Sequence, residues 1–294
     1  MSDPLKALKE FLPEHDFFIG IDSDGCAFDS MEIKQKECFC PNFIKHFNLQ
    51  PVSKYARQTW EFVNLYSKSR GINRFKAVLI ALDLLRERSK VRERGAKIPR
   101  MDGLRRWVEK ESKLGNPALE KELKRNPDPD LQLVYRWSLA VNAAIEEMVH
   151  NLPPFASLRK NLEKVRPQAD LIVVSQTPLE ALQREWKDNG IDAYVRLIAG
   201  QEMGTKAEHL AMAAGERYAK EKILMIGDAP GDLQAAEKNG ILFFPVNPGH
   251  EEESWERFFD EAADRFFNGT YAGGYAESLL KEFHACLPER PDWE

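Results

Sequence analysis

The chain has 294 residues, 43% of them hydrophobic, with 42 Lys and Arg against 47 Asp and Glu and a formal net charge of −5. That length allows a full core and two domains, and the mildly acidic balance offers no global basic footprint for nucleic acid. No apolar run reaches membrane-spanning length, and the four cysteines (Cys26, Cys38, Cys40, Cys286) have no paired metal spacing, so reduced thiols in a cytoplasmic protein are expected.

The first residues, Met1 to Lys6, lack the long apolar core of a signal peptide, and residues 4–12 read as a short amphipathic helix. The run Phe17 to Ile21 then reads as a strand buried on both faces. It ends in Asp22-Ser23-Asp24-Gly25, with Gly25 free to turn the chain sharply. Two carboxylates one residue apart leave the carboxyl end of a buried strand, where open α/β sheets place their ligands. If the alternation holds past the strand end, they point the same way. Such a pair needs either a divalent cation, with one acid serving as nucleophile, or a shared proton. The same residues also suit a plain strand followed by an Asx turn, since Asp-Gly is a common turn pair.

From about residue 31 to 150 the apolar period is helical. The candidate helices are Met31–Phe47, broken or kinked near Pro41, then Lys54–Ser67, Arg74–Arg88, Leu104–Lys113, Pro117–Lys124 and Leu131–Asn151, punctuated by glycine and proline. After Pro153-Pro154 helix and strand alternate, which implies right-handed parallel crossovers. The later strands are Leu171–Val174, Val195–Ala199, Ile223–Ile226 and Ile241–Val246. The segment Glu252–Leu287 is helical, rich in aromatics, and reads as packing on the core.

Three features downstream bear on the Asp22/Asp24 pair. The second strand ends in Ser175, Lys206 opens a helix after Gly204-Thr205, and the fourth strand runs into Gly227-Asp228 with Asp232 four residues on. Taken singly, each has a bland reading: Ser175 as a turn cap, Lys206 as an exposed first-turn lysine, Asp228 and Asp232 as turn and helix-cap residues. A nucleophilic carboxylate, a hydroxyl, a lysine and a second acidic pair in this order resemble the haloacid dehalogenase-like hydrolase superfamily, over residues of roughly 16–30 and 152–248.

The resemblance implies an α/β fold: a Rossmann-like parallel five-stranded core sheet of spatial order third-second-first-fourth-fifth, with an inserted all-helical cap of the first type. The expected domains are 1–30 (core), 31–151 (cap) and 152–294 (core with its helical tail). The resemblance also implies roles. Asp22 is the nucleophile, Asp24 the general acid and base, and Ser175 and Lys206 hold phosphoryl oxygens. Mg2+ is bound by the Asp22 and Asp228 carboxylates and the Asp24 carbonyl, with Asp232 behind them. An aspartate at position 24 points to the phosphatase and phosphomutase branches, because a halide leaves without protonation. Cys26 departs from the threonine usual after the glycine, and no histidine partner marks it as a nucleophile.

The expected activity is a Mg2+-dependent phosphatase acting on a small phosphorylated metabolite, with neither nucleic acid nor membrane as partner. The alternatives are a phosphomutase of the β-phosphoglucomutase type and a low-activity regulatory or binding protein on the same scaffold. The basic interhelical stretch from Ser67 to Arg74 makes Arg70, Asn73 and Arg74 candidates for substrate binding, with Lys34 near the first hinge as a fourth; a solvated loop is the competing reading. The sequence leaves oligomeric state open.

Overall fold

A computed structural model describes residues 4–293. The chain divides into two compact units. The first comprises the residues up to Met31 together with Asn151–Leu287, and the second comprises Glu32–His150 and the residues from Pro288 onward.

The first unit is built on one sheet of five parallel strands: β1 (Phe17–Ile21), β2 (Ala169–Val174), β3 (Leu197–Ala199), β4 (Ile223–Gly227) and β5 (Leu242–Pro245). Their spatial order is β3-β2-β1-β4-β5, the order the motifs imply. β1 pairs in parallel with both neighbours, with Ile21 opposite Val173 on one side and Ile226 on the other. The strands are near-continuous apolar runs because helices cover both faces. Ile19, Ile21, Leu171, Val173, Leu224 and Ile226 pack into one apolar cluster, and Phe18, Ile172, Val174, Ile223 and Met225 into the other. Strand alternation therefore sorts the core into two layers.

The segment after β5 contributes Trp255, Phe258, Phe266, Tyr271 and Leu279 to the first cluster, and Phe283 and Leu287 to the second. Among these the Tyr271 hydroxyl donates to the Phe243 carbonyl of β5 at 2.7 Å.

The second unit is helical around a core that includes Phe39, Phe43, Trp60, Val78, Leu82 and Trp137. Trp60 and Trp137 meet edge to face at 5.9 Å, and Phe43 lies 4.7 Å from Trp60. The helix expected over Met31–Phe47 begins as Ser30–Ile33, widens into a π-helix over Lys34–Phe39 and resumes as Cys40–His46. Pro41 explains the widening: it has no N–H to give the preceding turn, and its ring would clash with the carbonyl four residues back. The sequence reading places all of 152–294 in the core, but the residues from Pro288 group with the helical unit. There the Trp293 ring lies 4.3 Å from the Arg88 guanidinium and 5.2 Å from the Phe62 ring, apolar and cationic surface that an aromatic side chain covers well.

At the amino ends of the strands Asp170 is fully buried and holds several segments together. It accepts hydrogen bonds from the Glu14 and His15 amides (2.9 and 3.0 Å), the Tyr218 hydroxyl (2.7 Å) and Arg196 (2.6 Å). Burial alone would raise this carboxyl; the Tyr218 hydroxyl, the two amides and Arg196 instead hold it below its ordinary value of 3.8. The unfolded chain therefore binds this proton more tightly than the folded one, so the stabilisation is present at neutral pH and lost as pH falls through the ordinary carboxylate range. Asp170→Asn is expected to cost roughly 3–5 kcal/mol in urea unfolding at neutral pH, the scale for breaking a buried pair. Its deficit against wild type should shrink as the pH is taken below about 4.

Candidate active site

The register of the central strands brings the functional ends together. Ile21, Val173 and Ile226 lie side by side, so Asp22, Ser175 and Asp228 follow at the carboxyl ends of three adjacent strands. The Asp22 amide continues the ladder to the Ile226 carbonyl at 3.0 Å, and the Ser175 amide continues it to Ala199 at 3.0 Å. Both backbones are therefore fixed by the sheet.

Asp22, Asp228 and Asp232 are all buried, and each offers an oxygen within 4.8 Å of those of the others. The Lys206 ammonium enters this cluster, 2.7 Å from Asp22 Oδ2 and 2.5 Å from Asp232 Oδ1. Asp232 Oδ2 also accepts the Ala229 amide at 3.0 Å, so this residue both anchors the lysine and secures the start of the Pro230–Asn239 helix. Lys206 is set in place by its own helix, which opens with a reciprocal cap between Thr205 and Glu208.

Burial pushes the Asp22 carboxyl well above its ordinary value of 3.8; Lys206 pulls it down, while Asp232 and Asp228 push it further up. Burial alone would lower the Lys206 ammonium, but Asp22 and Asp232 keep it above its ordinary range. Three buried carboxylates face one ammonium, so full ionisation leaves uncompensated negative charge in a desolvated place. A small divalent cation relieves that imbalance, and a donor set made only of oxygens suits Mg2+. The residues present fit that ion.

Asp24 is placed differently from its partner. β1 ends at Ile21, and the chain turns through Gly25, which has a φ of 78°. The Asp24 carboxylate is not one of the clustered three. Ser30 donates to its Oδ1, and Thr177 Oγ1 donates to its Oδ2 at 2.6 Å. Neither hydroxyl was singled out from the sequence. The nearest signal for Thr177 was its place two residues after Ser175, on the same turn. The Ser175 hydroxyl accepts the Thr177 amide at 3.2 Å, so the turn-capping reading of Ser175 holds alongside any other.

The Cys26 thiol is fully buried beside the Ile226 carbonyl, and burial, followed by Asp228 and Asp22, pushes it well above its ordinary value. It is therefore a protonated packing group and no nucleophile.

The four substrate candidates lie in the helical unit. Arg70 is buried and donates to the Leu65 carbonyl at 2.9 Å. Asn73 caps the Arg74–Glu87 helix by accepting the Phe75 amide at 3.0 Å. Arg74 lies over the Phe39 ring at 4.9 Å and donates to Ser138 (3.1 Å) and Asn142 (2.6 Å). Lys34 is half-buried on the π-helix.

A parallel sheet of this order, with acidic residues leaving the ends of adjacent strands, defines a Rossmann-like α/β enzyme core. A profile of the family described as haloacid dehalogenase-like hydrolase matches residues 109–246. Over that stretch the chain is similar to the haloacid dehalogenase-like hydrolase superfamily. The match stops short of β1, so the Asp22/Asp24 motif stands on its own geometry.

Similar solved structures include a hydrolase of this family from Streptococcus pneumoniae (14% identity, covering 82% of this chain and 90% of that one, TM-score 0.45). Others are a hydrolase from Pseudomonas syringae (14%, 82% and 90%, 0.46) and a superfamily member of subfamily IA from Geobacter sulfurreducens PCA (15%, 80% and 89%, 0.40). No curated protein matches the chain. Among the described residues no helix is long and apolar enough to cross a membrane.

A carboxyl whose pKa is higher in the folded chain than in the unfolded one favours folding at low pH, and its contribution is lost as pH rises through the raised value. Asp22 makes the ion-free site a growing liability above the ordinary carboxylate range. Mg2+ is therefore expected to raise the melting temperature more at about pH 8 than at about pH 5, and Asp228→Asn is expected to remove most of that shift. Equal shifts at both pH values, or a shift surviving the substitution, would place the ion elsewhere.

Proposed function

We propose that the chain is a Mg2+-dependent phosphatase that hydrolyses a small phosphorylated metabolite through an aspartyl-phosphate on Asp22. The observation that supports this best is the Asp22 carboxylate at the strand end, buried and paired with Lys206, with Asp228 and Asp232 alongside. A nucleophilic carboxylate needs one oxygen oriented and the other close to the incoming phosphorus. Asp22 Oδ1 accepts the Ser23 amide at 2.8 Å, which sets the group's orientation. Lys206 keeps a positive charge where non-bridging phosphoryl oxygens arrive, and Asp232 holds it there. Ser175 is the second candidate for those oxygens. Mg2+, held by Asp22, Asp228 and the Asp24 carbonyl, would supply further charge neutralisation as phosphoryl oxygens approach.

In the first half-reaction an Asp22 oxygen bonds to phosphorus, the bond to the leaving oxygen breaks, and that oxygen takes a proton from Asp24. In the second, water attacks phosphorus and gives a proton back to Asp24, releasing inorganic phosphate and the free Asp22 carboxylate. Asp24 must therefore be held in both protonation states. Ser30 and Thr177 suit that task, because a hydroxyl donates to a carboxylate and, after rotation, accepts from a carboxylic acid. The four free thiols agree with a cytoplasmic setting.

The test is phosphate release from a panel of phosphorylated sugars, nucleotides and small acids, with and without Mg2+. Mg2+-dependent release from one group is expected, and Asp22→Asn is expected to abolish it while leaving the melting curve cooperative. Release that persists in Asp22→Asn would sink the nucleophile assignment. Sugar 1-phosphates converted without phosphate release would show a mutase.

A further inference from the structure

The turn that joins Asp22 to Asp24 is held from beneath by two tryptophans. Strand alternation sends Asp22 to the side of the sheet where Lys206 lies and returns Ser23 to the opposite side, where it is fully buried. There the Ser23 hydroxyl accepts the Trp186 indole N–H at 3.0 Å and donates to Glu185 at 3.4 Å. The Ser23 carbonyl gathers the amides of Cys26, Ala27 and Phe28, which closes the turn on itself. At its far end the Cys26 carbonyl accepts the Trp255 indole N–H at 2.7 Å.

Both tryptophans are fully buried. An indole nitrogen only donates, and burying it unpaired is costly, so each ring and its acceptor fix one another. Packing alone asks for no N–H at either place. Trp186 comes from the Leu179–Asp188 helix between β2 and β3, and Trp255 from the Glu251–Arg257 helix after β5. Trp255 is itself tied down: Asn161 donates to its carbonyl at 2.9 Å, and its ring meets Phe258 at 5.8 Å.

We propose that Trp186 and Trp255 are positioning residues for the Asp22 and Asp24 pair, and that the helical segment after β5 serves the active site through the Trp255 indole. The two donors grip the turn on either side of Asp24, so they set where its carboxylate stands relative to Asp22. The kinetic part of the test rests on the phosphatase reading; the structural part does not.

Trp255→Phe keeps most of the apolar bulk and deletes the donor. A misplacement of about 1 Å costs on the order of 100-fold in rate, so kcat is expected to fall by roughly 10- to 100-fold with KM changed less than about twofold. Tyr271→Phe is the matched control: it deletes a buried donor from the same segment, but the acceptor lost is the Phe243 carbonyl on β5, off the turn. It is expected to lower the melting temperature and leave kcat alone.

Hydrogen exchange of the peptide spanning residues 22–28 supplies a readout without catalysis, expected to quicken in Trp255→Phe and not in Tyr271→Phe. If wild type releases no phosphate but exchange quickens as described, the positioning stands and the phosphatase reading fails. Unchanged kcat with unchanged exchange in Trp255→Phe, or an equal loss of kcat in Tyr271→Phe, overturns the positioning. If Trp255→Phe does not fold, Trp186→Phe puts the same question from the other end of the turn.

Discussion

A buried ammonium shared by two buried carboxylates is the constraint around which the core unit is arranged. Lys206 reaches Asp22 on the central strand and Asp232 on the helix after β4, and none of the three is near another in sequence. Removing Lys206 leaves the clustered carboxylates uncompensated in a desolvated place, which costs far more than an intact pair contributes. The arrangement therefore acts less as a source of stability than as a demand for register: β1, β4 and the two helices must sit where these charges meet. The same demand accounts for the surplus of negative charge. Asp228 adds a third carboxylate without adding a cation, a balance that suits a divalent ion.

Much of this was legible in the sequence because it rests on local signals. Continuous apolar runs ending in Asp22, Ser175 and Asp228 marked the three central strands and their carboxyl ends together, and Lys206 was readable as the first residue of its helix. The least legible parts depend on which distant groups meet. The partners of Asp24 are the hydroxyls of Ser30 and Thr177, the latter far along the chain. Trp255 offered no signal, since an aromatic in an amphipathic helix reads as core, and nothing local shows that its N–H meets a carbonyl more than two hundred residues earlier. In the helical unit Asn73 was read for its polarity near a basic loop, yet the residue before a helix is also the place for a cap, and there it accepts the Phe75 amide.

The central strand is also the first in the chain, and that has a consequence for how the molecule is made. Phe17 pairs with Ala169, and every residue of the helical unit except those from Pro288 onward lies between them. During synthesis β1 emerges with neither neighbour available, and it must wait until β2 has been produced. Closing so long a loop is entropically costly if the intervening chain is loose, and much less so once that chain has collapsed into a compact body with its ends near each other. The helical unit has its own apolar core around Trp60 and Trp137. A core of its own lets that stretch bury apolar surface without waiting for the sheet, which shortens the loop that β1 and β2 have to close.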